Sequence, residues 1–216
     1  MAKIAVVGGT GDLGNAIARR LVKAGHQVAI GSRRPEAAAT AAAAIGEGVG
    51  SGANAEVSRN CDFVIVTVPY EAHAATLAMI RESVGQAIVV DTTVPLMPPK
   101  VMRVQLPAAG SAALEAREHL GEGVRLVSAF HNVAAHKLAT DEDVDCDVLV
   151  FSDDVEARTQ TISLVADCGM RGLAGGALAN SAAAEALTSI LIFMNKTYKA
   201  DGAGIRFTGL TTAPPV

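Results

Sequence analysis

The residues best suited to chemistry are glycines. Gly9, Gly11 and Gly14 are spaced G-x-G-x-x-G directly after the apolar run Ile4-Ala5-Val6-Val7. This spacing lets a backbone approach a pyrophosphate closely and aims the amides of a helix N-terminus at its charge. Thr10, Gly11, Asp12 and Leu13 would present those amides, with the Thr10 hydroxyl beside them. The hexapeptide alone is a weak signal. A strand before it, a helical pattern after it and a second strand about 20 residues on supply the context it needs. That second strand, Gln27-Val28-Ala29-Ile30, runs into Gly31-Ser32-Arg33-Arg34. A site selective for NAD places a carboxylate here, against the ribose 2′-hydroxyl. A serine hydroxyl and two guanidiniums suit a 2′-phosphate instead, through charge-assisted hydrogen bonds. Ser32, Arg33 and Arg34 therefore predict NADP(H) as the dinucleotide.

The elements that would hold such a site alternate between strand and helix, the pattern of a parallel sheet. Ile17, Leu21 and Val22 lie at helical spacing within 15–24, and Gly25 stops that helix. Pro35 can open a helix, and the alanine-rich run 37–45 continues it. The segment 46–52 reads as a flexible break, 62–68 as a central buried strand closed by Pro69, and 70–84 as a helix. Further strands are expected over 87–90, 125–128 and 148–151, with Asp153-Asp154 capping a helix that runs to Asp167. Two stretches break the rhythm. Segment 95–109 carries four prolines and reads as a surface excursion, and 170–178 is glycine-rich. A long helix follows over 181–198, with Ala184, Leu187, Ile190, Leu191 and Met194 on one apolar face. The face suits packing on the sheet, a dimer surface, or both. The fold class expected is α/β, a Rossmann-type doubly wound, mostly parallel sheet. Residues 1–178 form the dinucleotide-binding domain and 179–216 a small C-terminal helical segment, the last six residues a loose tail.

Composition narrows the class. With 216 residues the chain can bury one large core, and its net charge of −4 argues against a nucleic-acid surface. No apolar run reaches membrane-spanning length, and Lys3 is followed by only a short apolar stretch, so no secretory signal or membrane segment is expected. Cys61, Cys146 and Cys168 have neither an even count nor metal-ligand spacing and are read as buried, reduced thiols of a cytoplasmic protein. No metal site is expected. HExxH, a nucleophile elbow and Tyr-x-x-x-Lys are all missing from the sequence, Tyr198-Lys199 having the wrong spacing.

Several segments together resemble one family, in the same order and at compatible spacing over nearly the whole chain. They are Gly8-Gly9-Thr10-Gly11-Asp12-Leu13-Gly14, Gly31-Ser32-Arg33-Arg34, Val68-Pro69-Tyr70-Glu71, Val127-Ser128-Ala129-Phe130-His131-Asn132, Ser152-Asp153-Asp154, Ala179-Asn180-Ser181, Glu185-Ala186-Leu187-Thr188 and Gly204-Ile205-Arg206-Phe207. The chain is similar to the NADPH-dependent coenzyme F420 reductases, or F420H2:NADP oxidoreductases. The resemblance implies hydride exchange between NADP(H) and a 5-deazaflavin. Both partners are obligate hydride carriers, so the protein has only to hold the two rings face to face at about 3–3.5 Å and exclude water.

The resemblance also assigns residues. Val68, Pro69 and Tyr70 close a strand at the carboxyl edge, where such folds bind ligands. Tyr70 flanks the adenine or ribose, or packs on the core as a helix-start aromatic; His73, one turn on, is expected to face solvent. Ser128, Phe130, His131 and Val133 should line the cleft, with His131 positioning the deazaflavin rather than acting as an acid. Pro95 would shape the opposite wall, and the C-terminal segment 179–216 would complete the deazaflavin site, with Gly204 and Ile205 approaching the ring. Lys100, Arg103, Lys137 and Arg206 are candidate partners for the anionic tail of coenzyme F420. The chain departs from the family pattern in two places. Val133-Ala134-Ala135 stands where a proline often follows the histidine, and Pro35-Glu36-Ala37 where a further basic residue often follows the arginine pair. Two other readings stay open: an NADP-dependent reductase of a flavin or organic acceptor, and a non-catalytic NADPH-sensing module. A homodimer is expected for the enzyme.

Overall fold

The computed structural model of the chain describes residues 1–210. Strand β1 (Lys3–Val7) passes through the glycine turn into α1 (Asp12–Lys23), and β2 (Gln27–Ser32) leads into α2 (Pro35–Ile45). Next come β3 (Gly50–Ala53), the single turn α3 (Asn54–Val57), β4 (Phe63–Val66), α4 (Tyr70–Ile80) and β5 (Ile88–Asp91). After an irregular stretch come α5 (Ala112–Leu120), β6 (Arg125–Ser128), α6 (Ala135–Leu138), β7 (Asp147–Phe151) and α7 (Val155–Asp167). β8 (Arg171–Gly176) and α8 (Ser181–Tyr198) are the last regular elements described.

The strands form one sheet of order β3-β2-β1-β4-β5-β6-β7-β8. Every neighbouring pair is parallel except β6 and β7, which meet antiparallel at Ser128 and Phe151. The expected doubly wound α/β fold is therefore present. Alternation along β1 shows why both faces need cover: Ile4 and Val6 join a core with α1, α2 and α7, while Ala5 and Val7 join a second core with α4 and α5. The winding reverses between β1 and β4, and a crevice opens at the carboxyl ends of those strands, where such sheets bind ligands.

Some boundaries differ from the sequence expectation. The break over 46–52 contains β3, whose Gly50 to Ala53 pair in parallel with Ala29 to Ser32 of β2. The glycine-rich stretch 170–178 contains β8, paired along β7. α1 starts at Asp12 and α4 ends at Ile80. α7 begins as expected, because the Asp154 carboxylate accepts the Ala157 amide as its N-cap. Cys146 and Cys168 are buried free thiols, but Cys61 is only half-buried. The expected loose tail lies outside the described residues.

The apolar face expected on α8 is divided. Ala184 and Leu191 are buried, whereas Ile190 is 45% and Met194 38% exposed. The inner face of the helix also buries Ser181, Glu185 and Ser189. α8 is therefore held inward partly by polar contacts, and an apolar ridge of Ile190, Phe193, Met194 and Tyr198 faces out.

Candidate active site

The glycines of the first turn do different work. A Cβ on Gly9 would lie 2.8 Å from the Val6 carbonyl, and one on Gly14 would collide with the Thr67 hydroxyl and sit 2.8 Å from the Gly9 Cα. Both are needed for packing, and the Gly9 amide is already donated to Gly31 and Val6 carbonyls. At Gly11 a Cβ would meet nothing closer than 3.6 Å, so packing does not explain that glycine. Gly11 is also the N-cap of α1 and supplies no side-chain acceptor for the first-turn amides. An open backbone beside unsatisfied amides fits a phosphate that comes close. Gly9 and Gly14 thus shape the turn from beneath, and Thr10 and Gly11 line the open cleft above it.

A cleft of about 410 Å³ begins there. Gly8, Thr10, Gly11, Ser32, Arg33 and Arg34 line one side of it, and Thr67, Val68, Pro69, Ala72 and Thr76 the other. The Ser32 hydroxyl accepts the Arg34 amide at 3.2 Å, which turns the chain so that both guanidiniums sit at the mouth. Arg33 and Arg34 are exposed and make no ion pair among the described residues.

Gly11, Thr67, Val68 and Pro69 are shared with a second cleft of about 480 Å³. Its lining is mostly apolar: Leu13, Val94, Leu96, Pro98, Val101, Phe130 and Val133, with Asp12 at the seam and Tyr70, Thr92, Thr93 and His131 deeper. The loop after β5 supplies this wall through Val94, Leu96 and Pro98, while Pro95 itself is buried behind them. Tyr70 belongs to this second cleft and not to the adenosine end. Its hydroxyl donates to Glu115 at 2.9 Å, and burial with that carboxylate pushes the phenol up to about 12.

His131 sits at the base of this cleft, 6% exposed, its Nε2 2.8 Å from the Ser128 hydroxyl. Burial pulls the imidazole down to about 4, and the attraction of Asp91 does not offset that loss. The ring is therefore neutral near neutral pH. Phe130 holds a φ of +65°, a left-handed conformation that is costly for an aromatic residue and marks a position where the surrounding structure dictates the backbone. Ser128 does not line the cleft; it is fully covered and acts on His131.

Helix α8 fixes this loop from behind. Asn132 donates to the Ala184 carbonyl at 2.9 Å and the Thr188 hydroxyl at 3.0 Å, and Thr188 donates to the His131 carbonyl at 2.9 Å. Glu185 accepts the Ala112 and Ala113 amides at 2.6 and 3.2 Å, capping α5 with a carboxylate that burial raises to about 7. His73, expected in solvent, is 2% exposed and pairs with Asp91 at 2.8 Å. Burial pulls its imidazole down, but the Asp91 charge and hydrogen bond outweigh this, so the net shift is upward. Asp91 also accepts the Thr93 amide, which sets the backbone where the chain turns into the cleft wall.

Gly204 and Ile205 are not brought into the cleft of their own chain. The Ile205 carbonyl accepts the Asp147 amide at 2.7 Å, and a Cβ on Gly204 would strike Cys146 at 2.5 Å. The pair lies behind the 131–134 loop, locked to β7 because Arg171 and Asp147 clasp the Phe207 backbone. Of the four cations suggested for an anionic tail, Lys137 pairs with Asp201 and Arg206 with Asp145. Lys100 and Arg103 line a surface hollow beside Phe193, on the segment whose Pro98 and Val101 face the ring cleft. Pro95 pointed to the wall after β5 and the C-terminal segment to the back of the site, but Thr67, Val94, Leu96 and the hydrogen bonds that tie Asn132 to α8 were missed in the sequence.

Residues 3–95 match the family described as NADP oxidoreductase, coenzyme F420-dependent. The chain is 38% identical over 221 residues to an F420-dependent NADP reductase of Methanothermobacter thermautotrophicus, covering 96% of this chain and 95% of that one. A protein of the same name from Methanocaldococcus jannaschii is 38% identical over 223 residues, covering 96% and 99%. In fold, the chain resembles a crystal structure from Arthrobacter sp. FB24 with a TM-score of 0.82 at 22% identity, covering 96% of this chain and all of that one. It resembles 3-hydroxyisobutyrate dehydrogenase of Mycobacterium tuberculosis with a TM-score of 0.64 at 19% identity, over 93% and 67%.

Proposed function

The chain belongs to the coenzyme F420-dependent NADP oxidoreductase family, and we propose that its two joined clefts carry out hydride transfer between NADP(H) and coenzyme F420. The observation that carries this reading is their continuity. A cleft lined by the glycine turn and exposed guanidiniums opens, through Gly11, Thr67, Val68 and Pro69, into an apolar cleft with a neutral histidine at its base. When bound, the two carriers would supply the chemistry: a hydride passing between nicotinamide and deazaflavin, with a proton taken up where the deazaflavin is reduced and released where it is oxidised.

The chain's own residues bind and orient. Thr10, Gly11, Asp12 and Leu13 hold the pyrophosphate; Ser32, Arg33 and Arg34 hold the 2′-phosphate. Val68 and Pro69 pass the nucleotide across the seam. Val94, Leu96, Phe130 and Val133 exclude water from the ring end, where a dry, shaped site is worth most. His131, fixed by Ser128 below and by α8 behind, sets the plane of the deazaflavin. The segment 179–210 completes the site as a brace for residues 131–132. The outward ridge of Ile190, Phe193, Met194 and Tyr198 suits a homodimer, since four apolar side chains along one exposed helix face are more than a monomer usually leaves in water. Among the described residues no helix is long and apolar enough to cross a membrane, and the three free thiols fit a reducing cytoplasm.

The test is spectrophotometric. Protein, NADPH and oxidised coenzyme F420 are mixed and the deazaflavin's visible absorbance is followed. Catalytic bleaching supports the reading. NADPH binding without turnover of F420 or of a flavin would overturn it in favour of a nucleotide sensor.

A further inference from the structure

Asn54 is the most unusual polar group in the nucleotide cleft. It is 1% exposed, lines the cleft with Ser32 and Arg33, and its side-chain oxygen has no hydrogen-bond partner. No protein group among the described residues bonds to either end of its amide. The oxygen is covered and turned against Gly31, so the amide nitrogen, which makes no hydrogen bond among the described residues, is the end left to a ligand in the cleft.

The sheet register says where this amide sits. Ser32, the last residue of β2, pairs with Ala53, the last residue of β3. Arg33 and Asn54 are the next residue on each chain segment and both line the cleft, with Asn54 packed over Gly31. The chain builds room for the amide there: a Cβ on Gly31 would lie 2.8 Å from its oxygen. The backbone is held from below, with the Asn54 carbonyl accepting both the amide and the hydroxyl of Ser58, at 3.2 and 2.8 Å.

We propose that the Asn54 side-chain nitrogen donates a hydrogen bond to the 2′-phosphate of NADP(H) beside Arg33, which makes Asn54 a determinant of NADP over NAD selectivity. The inference rests on the assignment of the Ser32–Arg34 end of the cleft to a 2′-phosphate. Arg33 and Arg34 are exposed and hydrated, so they supply attraction with little directional demand. A fixed, desolvated amide supplies direction, and directed polar contacts discriminate strongly against an analogue that lacks the group.

The test needs no deazaflavin. Dissociation constants for NADPH and NADH are measured by nucleotide fluorescence for the wild type, Asn54→Ala and Asn54→Asp, with 2′-AMP and 5′-AMP as competitors. Asn54→Ala should weaken NADPH and 2′-AMP roughly tenfold and leave NADH and 5′-AMP within about threefold. Asn54→Asp, nearly isosteric, should weaken NADPH by more, on the order of a hundredfold, because a carboxylate faces the phosphate. Equal weakening of NADPH and NADH, or a lower melting temperature with unchanged affinities, would overturn the proposal. If Asn54→Asp does not fold, Asn54→Ala alone decides it. A wild type that binds NADPH no better than NADH would overturn the 2′-phosphate assignment itself and the inference with it.

Discussion

Replacing His131 with alanine tests the site's physics and its function in one variant. In the folded protein the imidazole is held at about 4, against an ordinary value of 6.5. The unfolded chain accepts a proton that the folded chain refuses, so wild-type stability falls as the pH drops from about 6.5 to about 4. Each pKa unit is worth about 1.4 kcal/mol, so the full difference is about 3 kcal/mol, of which about 2 kcal/mol falls between pH 7 and pH 5. His131→Ala has no such proton to bind. At pH 7 it should be less stable by about 2–4 kcal/mol, having lost a buried ring and the bond to Ser128. At pH 5 that gap should have narrowed by about 2 kcal/mol. Urea unfolding at the two pH values measures it, and other acid-sensitive groups cancel in the difference. A gap that stays constant with pH would show that the ring titrates as in water and is not the buried neutral group described.

The same variant should bind NADPH with nearly unchanged affinity, because His131 does not line the phosphate cleft. Deazaflavin kcat/KM should fall on the order of a hundredfold, the cost of a ring displaced by about 1 Å. Since the imidazole is neutral across the working range, its loss should leave the shape of the pH–rate profile intact. Disappearance of an acid limb near neutral pH would mean that His131 carries a proton in the reaction, which refutes the positioning role.

Arg33→Ala should raise the NADPH KM roughly tenfold to a hundredfold with little effect on NADH; equal effects in steady-state kinetics would remove Arg33 from the 2′-phosphate site. Glu185 works with the opposite sign to His131. Its folded value of about 7 lies above its ordinary 4.5, so its contribution is fully present below 4.5 and is lost as the pH rises through 7. Glu185→Gln should therefore lose less stability than wild type on going from pH 5 to pH 8, by about 3 kcal/mol at most; parallel melting curves would refute it. Light scattering at low micromolar concentration should report about twice the 22.0 kDa chain mass, and Phe193→Glu should halve it; an active wild-type monomer would leave the α8 ridge without a partner.

The central strands were legible because burial on both faces writes itself into the sequence as continuous apolar runs, such as Phe63-Val64-Ile65-Val66. β3 and β8 were not. Their sequences, Gly-Ser-Gly-Ala and Arg-Gly-Leu-Ala-Gly-Gly, are poor strand formers read alone. The neighbouring strand recruits them, and that information is not local. The nucleotide end was legible for a related reason: its parts lie within two short segments, each carrying its own signal. The ring end joins residues from β4, β5, β6 and α8. Nothing near His73 shows that Asp91 will bury it, and nothing near Asn54 shows that it will stand beside Arg33. The Gly204–Ile205 expectation was displaced by a clasp, Asp147 with Arg171, that no local pattern announces.

The two ends of the cleft also differ in their charge. At the nucleotide end Arg33 and Arg34 stand unpaired among the described residues, where long-range attraction collects an anion but does not touch the reacting atoms. At the ring end every ionisable side chain beyond the seam is held uncharged near neutral pH: His131 by burial, and Tyr70 by burial with Glu115. The fixed charges of that region, such as Asp91, are buried behind the wall. Binding energy is thus collected away from the site of reaction and used there as orientation, the division by which remote contacts raise a rate. A neutral, mostly apolar ring end does not favour either redox state of a ring through a nearby full charge.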